Sequence, residues 1–257
     1  MNFKTLWLSA LAALACGASA QVSTYYLTAG DQGTNWAAQG GAALFSFGQS
    51  AGGGEYPIAV SGDIRTTGPG PGGPGGQYDL GGNFTGTSYT GSLPGSYWDG
   101  TTDGRNNYGV DWGVGGVYST ARDWSGATLM FTPTMSSQYL GITYDTSDDG
   151  LWISSWGTGS IEHYTKSGTL ISAFNSGLFN VTCLAYDPAD GTLWMQEWGD
   201  FGHYQQFDRF GTKLSDVFYA MAGQNTLGGE FNIVPEPASM LALGAGLLAL
   251  ARRRRPR

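Results

Sequence analysis

The sequence predicts an all-β domain, a small β-propeller-like array of repeats about 42 residues long, and three observations predict it. Between Gln21 and the last 24 residues no segment sustains a helical period. Short runs of β-branched and aromatic residues alternate there with turns of Gly, Asp, Asn and Ser, a pattern of many short strands. Part of the chain also repeats itself at an offset of 42, the length of a four-stranded blade that cannot bury its faces alone and must stack on its neighbours. A β-sandwich or a solenoid is the alternative architecture.

Taken in order, residues 1–20 read as a secretory signal peptide. Lys4 supplies the positive start, residues 6–15 the apolar run, and Ala18 and Ala20 the small-x-small site for signal peptidase. The mature chain then begins at Gln21. A rival processing site, lipidation at Cys16, would anchor the protein instead of freeing it. Residues 21–233 form the expected repeat domain. Its faintest unit is Glu55-Tyr56-Pro57-Ile58-Ala59-Val60 followed by Ile64-Arg65-Thr66-Thr67-Gly68. The Gly/Pro segment 68–76 is expected to form neither sheet nor helix and to be a long exposed loop within the domain.

A third copy is weak. Trp98-Asp99-Gly100-Thr101-Thr102-Asp103-Gly104 mimics the acidic turn of the later copies, and residues 116–120 and 128–131 mimic their strands. The two strong copies align Tyr144-Asp145, Leu151-Trp152 and Trp156-Gly157 with Tyr186-Asp187, Leu193-Trp194 and Trp198-Gly199. After one inserted residue, Tyr164-Thr165-Lys166-Ser167-Gly168-Thr169 falls on Phe207-Asp208-Arg209-Phe210-Gly211-Thr212, and each copy ends in an apolar strand. Asp149-Gly150 and Asp190-Gly191 predict tight hairpins, with glycine accepting a positive φ. At this period the domain holds four to five units.

Candidate chemistry is sparse. Asp145, Ser147 and Asp149 place oxygen ligands at alternate positions before Gly150, as calcium loops do, but Trp156 stands where an EF-hand has its glutamate; an Asx turn between strands is the structural reading. His163 and His203 do not align with each other, make no zinc motif and read as exposed strand residues. Cys183, the one cysteine left after the leader, lies in an apolar run and reads as a small buried hydrophobe. Glu162, Glu197, Asp200 and Glu230 are the carboxylates outside turns, and no spacing pairs them for acid–base work.

Aromatic residues are more informative. Trp152 and Trp194 read as blade-to-blade core, whereas Trp156 and Trp198, each followed by glycine at a strand end, read as an exposed rim able to stack on sugar faces.

The last segment, residues 234–257, opens with Val234-Pro235-Glu236-Pro237, continues with an apolar run over residues 240–251 and closes on Arg252-Arg253-Arg254-Arg255. The prolines exclude helix before the run, and the arginines hold the tail on the cytoplasmic side. At about a dozen residues the run is short against the roughly 20 that a bilayer core requires. Without leader and tail, Lys4 and the five arginines beyond Ala251 are gone, as is Glu236. Six basic residues then face 19 acidic ones, a formal charge of −13 against −8 for the whole chain. That charge argues against nucleic acid and suits divalent cations.

These tail residues resemble the PEP-CTERM sorting signal of Gram-negative bacteria. The resemblance implies recognition and cleavage by an exosortase, passage through an inner-membrane intermediate by way of a transmembrane helix, and delivery to the cell surface or matrix where exopolysaccharide is made. The repeat region, residues 98–218, loosely resembles NHL- or SMP30-like propeller blades through its acidic turns and its Gly-x-x-Tyr/Phe-x-x-x-Gly-Thr ends. The expected function is a non-enzymatic exported surface protein that binds polysaccharide. A secreted propeller enzyme of lyase or lactonase type using a divalent cation such as Ca2+, and a structural matrix protein without a specific ligand, are the alternatives.

Overall fold

Twenty strands account for almost all the regular structure in the computed structural model, which describes residues 23–136, 138–218 and 225–233. They form five antiparallel four-stranded sheets. β1 (Tyr25–Ala29), β2 (Thr34–Gln39) and β3 (Ala42–Gly48) belong to the first blade. β4 (Ile58–Val60), β5 (Ile64–Thr66), β6 (Pro74–Tyr78) and β7 (Phe84–Thr90) make the second. β8 (Thr101–Thr102), β9 (Asn106–Val110), β10 (Val117–Ala121) and β11 (Thr128–Phe131) make the third. The fourth is β12 (Tyr139–Asp145), β13 (Gly150–Ser155), β14 (Ser160–Thr165) and β15 (Leu170–Asn175). The fifth is β16 (Val181–Asp187), β17 (Thr192–Glu197), β18 (His203–Phe207) and β19 (Lys213–Phe218). The last strand, β20 (Gly228–Phe231), pairs with β1 and becomes the innermost strand of the first blade. The innermost strands β4, β8, β12, β16 and β20 touch one another in a closed circuit, so the array is a five-bladed propeller.

Each seam between blades has its own apolar cluster. Tyr26, Ile58 and Tyr78 fill the first seam, Tyr97 and Trp124 the second, and Val110, Val117, Ile142 and Tyr164 the third. Trp152 packs with Leu184, Met195 and Phe207 between blades four and five. Trp194, Tyr25 and Phe231 close the ring, with Tyr25 stacked on Phe231 at 4.6 Å. Trp152 and Trp194 are therefore blade-to-blade core, each 1% exposed, as the sequence predicts. Removing such a side chain would forfeit on the order of 3–5 kcal/mol. The strand pairing also reproduces the repeat alignment at single-residue level: Trp152 lies opposite His163, and Trp194 opposite Gln206.

The end of the propeller carrying the turns between first and second strands is latched by charge. Arg122 of blade three reaches Asp63 of blade two at 2.6 Å, and Lys166 of blade four reaches Asp103 of blade three at 2.8 Å. Arg209 of blade five lies 2.8 Å from Asp145 and 2.6 Å from Asp148 of blade four. Lys166 and Arg209 occupy aligned positions, so the repeat carries the latch with it.

Several expectations change. The Gly/Pro loop ends earlier than residue 76, because Pro74, Gly75 and Gly76 open β6 and pair with Thr90, Tyr89 and Ser88. Proline is tolerated at the first position of a strand, and a Cβ on Gly75 would sit 2.4 Å from the Tyr89 ring, so only glycine lets β7 approach. The acidic turn of the third copy is at Thr102-Asp103, where Asp103 accepts the backbone N–H groups of Arg105 and Asn106; Trp98-Asp99 lies before the innermost strand instead. In the 149–150 hairpin the left-handed residue is Asp149 at φ +62°, while Gly191 takes that conformation in the fifth blade. Gly150 is small for another reason: a Cβ there would lie 2.4 Å from His163 Nε2. The signal peptide with Ala18 and Ala20, and the tail from Val234 through Pro235, Glu236, Pro237 and Arg252–Arg255, lie outside the described residues.

Candidate functional site

A cavity of about 290 Å³ opens at one end of the propeller axis, lined by Asp31, Tyr56, Trp98, Trp112, Leu140, Trp156, Trp198 and Leu227. All five blades contribute. Trp112, Trp156 and Trp198 follow the second strands β9, β13 and β17, Asp31 follows β1, and Tyr56, Trp98 and Leu227 precede innermost strands. Local sequence explains the tryptophans. Their backbone N–H groups donate to Ser96, Gln138 and Asn180, each in the segment entering the innermost strand of the same blade, at 2.8, 3.0 and 3.0 Å. Gly157 and Gly199 then turn the chain at φ +87° and +90°, leaving Trp156 and Trp198 on the lip.

The rings stand on edge to one another. Trp112 and Trp156 meet at 87° with centroids 6.4 Å apart, Trp156 and Trp198 at 62° and 5.9 Å, and Tyr56 and Trp98 at 86° and 4.9 Å. Trp198 keeps 39% exposure. Tyr56 donates its hydroxyl to Asp31, and burial together with that bond pushes its phenol up to about 12. The Trp112 indole N–H is buried without a partner in the fold. Trp156 and Trp198, the rim residues predicted from the repeat, thus lie in one bowl. Tyr56, Trp98, Trp112 and Asp31 were not anticipated. A third Trp-Gly pair at Trp112-Gly113, 44 residues before Trp156, was the available signal.

Beneath the bowl the axis is plugged. Asp99 is fully buried and accepts backbone N–H groups from Gly100 at 2.9 Å, Gly229 at 3.0 Å, Ile142 at 3.2 Å and Leu184. One carboxylate so ties blades one, three, four and five. Glu230, on the innermost strand β20, accepts the Thr143 hydroxyl at 3.1 Å and that of Thr101. Burial pushes both carboxyls well above their usual range, against the pull of these donors.

The other candidates are dispersed. Glu162 is buried and accepts from Ser136 and Tyr164; Asp200 pairs with His203 at 2.6 Å; neither joins Glu197 or Glu230. His163 is 1% exposed, not an exposed strand residue, because its strand face turns into the seam and stacks on Trp152 at 4.0 Å. The calcium candidates do not converge: Ser147 donates to Asp145 at 2.7 Å, while Asp149 turns to Tyr144 and Lys166. Asp145, Asp148 and His163 have donor atoms within 4.8 Å of one another, but the Arg209 guanidinium already bridges the two carboxylates. Cys183 is buried and its thiol is pushed up to about 12 by burial, consistent with an inert hydrophobe.

Residues 234–255 match the PEP-CTERM protein-sorting motif. The chain carries a PEP-CTERM sorting signal. That signal marks an exported protein of the Gram-negative cell envelope processed by an exosortase. No curated protein matches the chain. Solved structures match the propeller. A chain of a nidogen/laminin complex is 12% identical, with TM-score 0.58 over 82% of this PEP-CTERM chain and 98% of its own length. A protein of unknown function from Bacteroides thetaiotaomicron is 12% identical, with TM-score 0.53 over 82% and 65%. Glutaminyl cyclase of Myxococcus xanthus is 17% identical, with TM-score 0.51 over 72% and 82%. At these identities the likeness is one of fold.

Proposed function

We propose that the mature chain, residues 21–233 after removal of the leader and the 234–257 tail, is a non-enzymatic binding protein of the cell surface or matrix whose bowl takes a sugar residue of an extracellular polysaccharide. One observation carries the reading: tryptophans from three blades and a tyrosine from a fourth converge on a single cavity at the axis. Sugar rings present apolar C–H faces that stack on indoles, and their hydroxyls need a polar partner, here Asp31. The volume lies at the lower end of the roughly 300–1,000 Å³ typical of small-molecule sites, which suits one or two sugar units and not a large cofactor.

A lyase- or lactonase-type enzyme with a divalent cation is the second reading, and the axial pair Asp99 and Glu230 is what favours it. Against it, Asp99 already has four amide donors and Glu230 two hydroxyls, and both lie out of reach of solvent.

The test is a glycan array probed with the wild-type protein and with W156A and W198A. Binding to a defined set of glycans, lost in both variants, is expected; a flat response across the array removes the ligand. The sorting half is tested by mass spectrometry of the exported protein. Loss of the residues from Val234 onward, or from a cleavage point just inside them, is expected, and an intact Arg257 would overturn exosortase cleavage.

A further inference from the structure

Resting on the glycan-binding reading, we infer that the bowl selects sugar units bearing an ammonium group, so that its polymer is an amino-sugar glycan. Three independent features of the molecule converge on a cation. The first is the ring geometry. Neighbouring rings meet at 87°, 62° and 86° and so line the volume from several sides. A π face is the negative pole of a quadrupole, so a cation seated over any ring face that lines the cavity is attracted to it.

The second is Asp31, the only charged side chain among the described residues of the lining. Ionised, it can accept hydrogen bonds but not donate them, and Tyr56 holds it in place by donating one. Its remaining oxygen lone pairs suit the three N–H donors of an ammonium group.

The third is the distribution of charge along the axis. The six basic residues within the described residues are Arg65, Arg105, Arg122, Lys166, Arg209 and Lys213. Every one lies in or beside a turn between first and second or third and fourth strands, at the end opposite the bowl. No Lys or Arg among the described residues occupies the bowl end, where Asp31, Asp111, Glu197 and Asp200 are found. Of these acids only Asp200 has a histidine beside it, His203, and a concave, low-dielectric site with acidic surroundings and no lysine or arginine nearby concentrates positive ligands.

The experiment titrates the purified full chain with glucosamine oligomers, N-acetylglucosamine oligomers and glucose oligomers of equal length, at pH 6 and low salt, following tryptophan fluorescence or heat. The expected result is about tenfold or greater preference for the glucosamine form. That preference shrinks in D31N and at 0.5 M salt, while W198A weakens all oligomers that bind. If the acetylated or neutral oligomers bind as well as the amine, the inference falls and glycan binding stands. If no oligomer binds, the inference falls, and the array result alone decides whether glycan binding stands. If glucosamine oligomers bind but W198A and D31N leave their affinity unchanged, the attraction belongs to the acidic surface at large and the inference falls.

Discussion

Replacing Asp99 by alanine should strip acceptors from four backbone N–H groups at once: those of Gly100, Gly229, Ile142 and Leu184. A buried donor left without an acceptor costs about 1–3 kcal/mol, so four amount to roughly 4–12 kcal/mol. Water entering the vacated space would recover part of this, which makes about 4 kcal/mol the expected loss. Whole domains are stable by only about 5–15 kcal/mol. For a domain of this size each kcal/mol shifts Tm by about 2–4 °C, so D99A should melt on the order of 10 °C lower. Asparagine keeps one acceptor oxygen but turns an NH2 toward two of the amides, so D99N should fall between. Urea unfolding followed by circular dichroism measures both. A D99A protein within about 1 kcal/mol of wild type would refute the claim that this carboxylate fastens four blades.

Two further perturbations probe neighbouring features. G150A places a methyl 2.4 Å from His163 Nε2 and should cost about 1–3 kcal/mol in the same unfolding assay, whereas T192A at the aligned site in the fifth blade should cost less, since threonine already fits there. E230Q tests linkage: the Glu230 carboxyl is raised by burial, so its stabilising contribution is present below the unfolded value near 4.5 and is lost as pH rises toward the folded one. The gain in Tm of E230Q over wild type should therefore widen from pH 4 to pH 8, and a difference that is constant across that range would show that Glu230 titrates normally.

How much of this was legible depends on whether the signal was local. Blades four and five announced themselves because Asp, Leu-Trp and Trp-Gly recur at fixed offsets, and each of those residues has a job within one blade or one seam. Trp156 and Trp198 were readable for the same reason. The first blade left little trace: β2 and β3 are rich in alanine, and its innermost strand comes from residues 228–231, a pairing across some 200 residues that no local pattern records. Asp99 looked like one more turn aspartate, because its role exists only once the ring is closed and four blades present their amides. Tyr56 and Trp98 sit in connections between blades with no neighbouring glycine to mark them. His163 was misjudged because strand alternation tells which residues share a face, not which face meets the next blade.

Closure by β20 also fixes an orientation. Innermost strands run from the bowl end to the latched end, so Phe231 leaves the ring on the side away from the bowl. Asn232 and Ile233 continue there, beside the turn after β4: Asn232 accepts the Gly62 N–H at 3.0 Å, and Ile233 donates its N–H to Val60 at 3.4 Å. The sorting motif starts at the next residue. The chain therefore enters that motif from the latched end of the propeller, opposite the aromatic mouth.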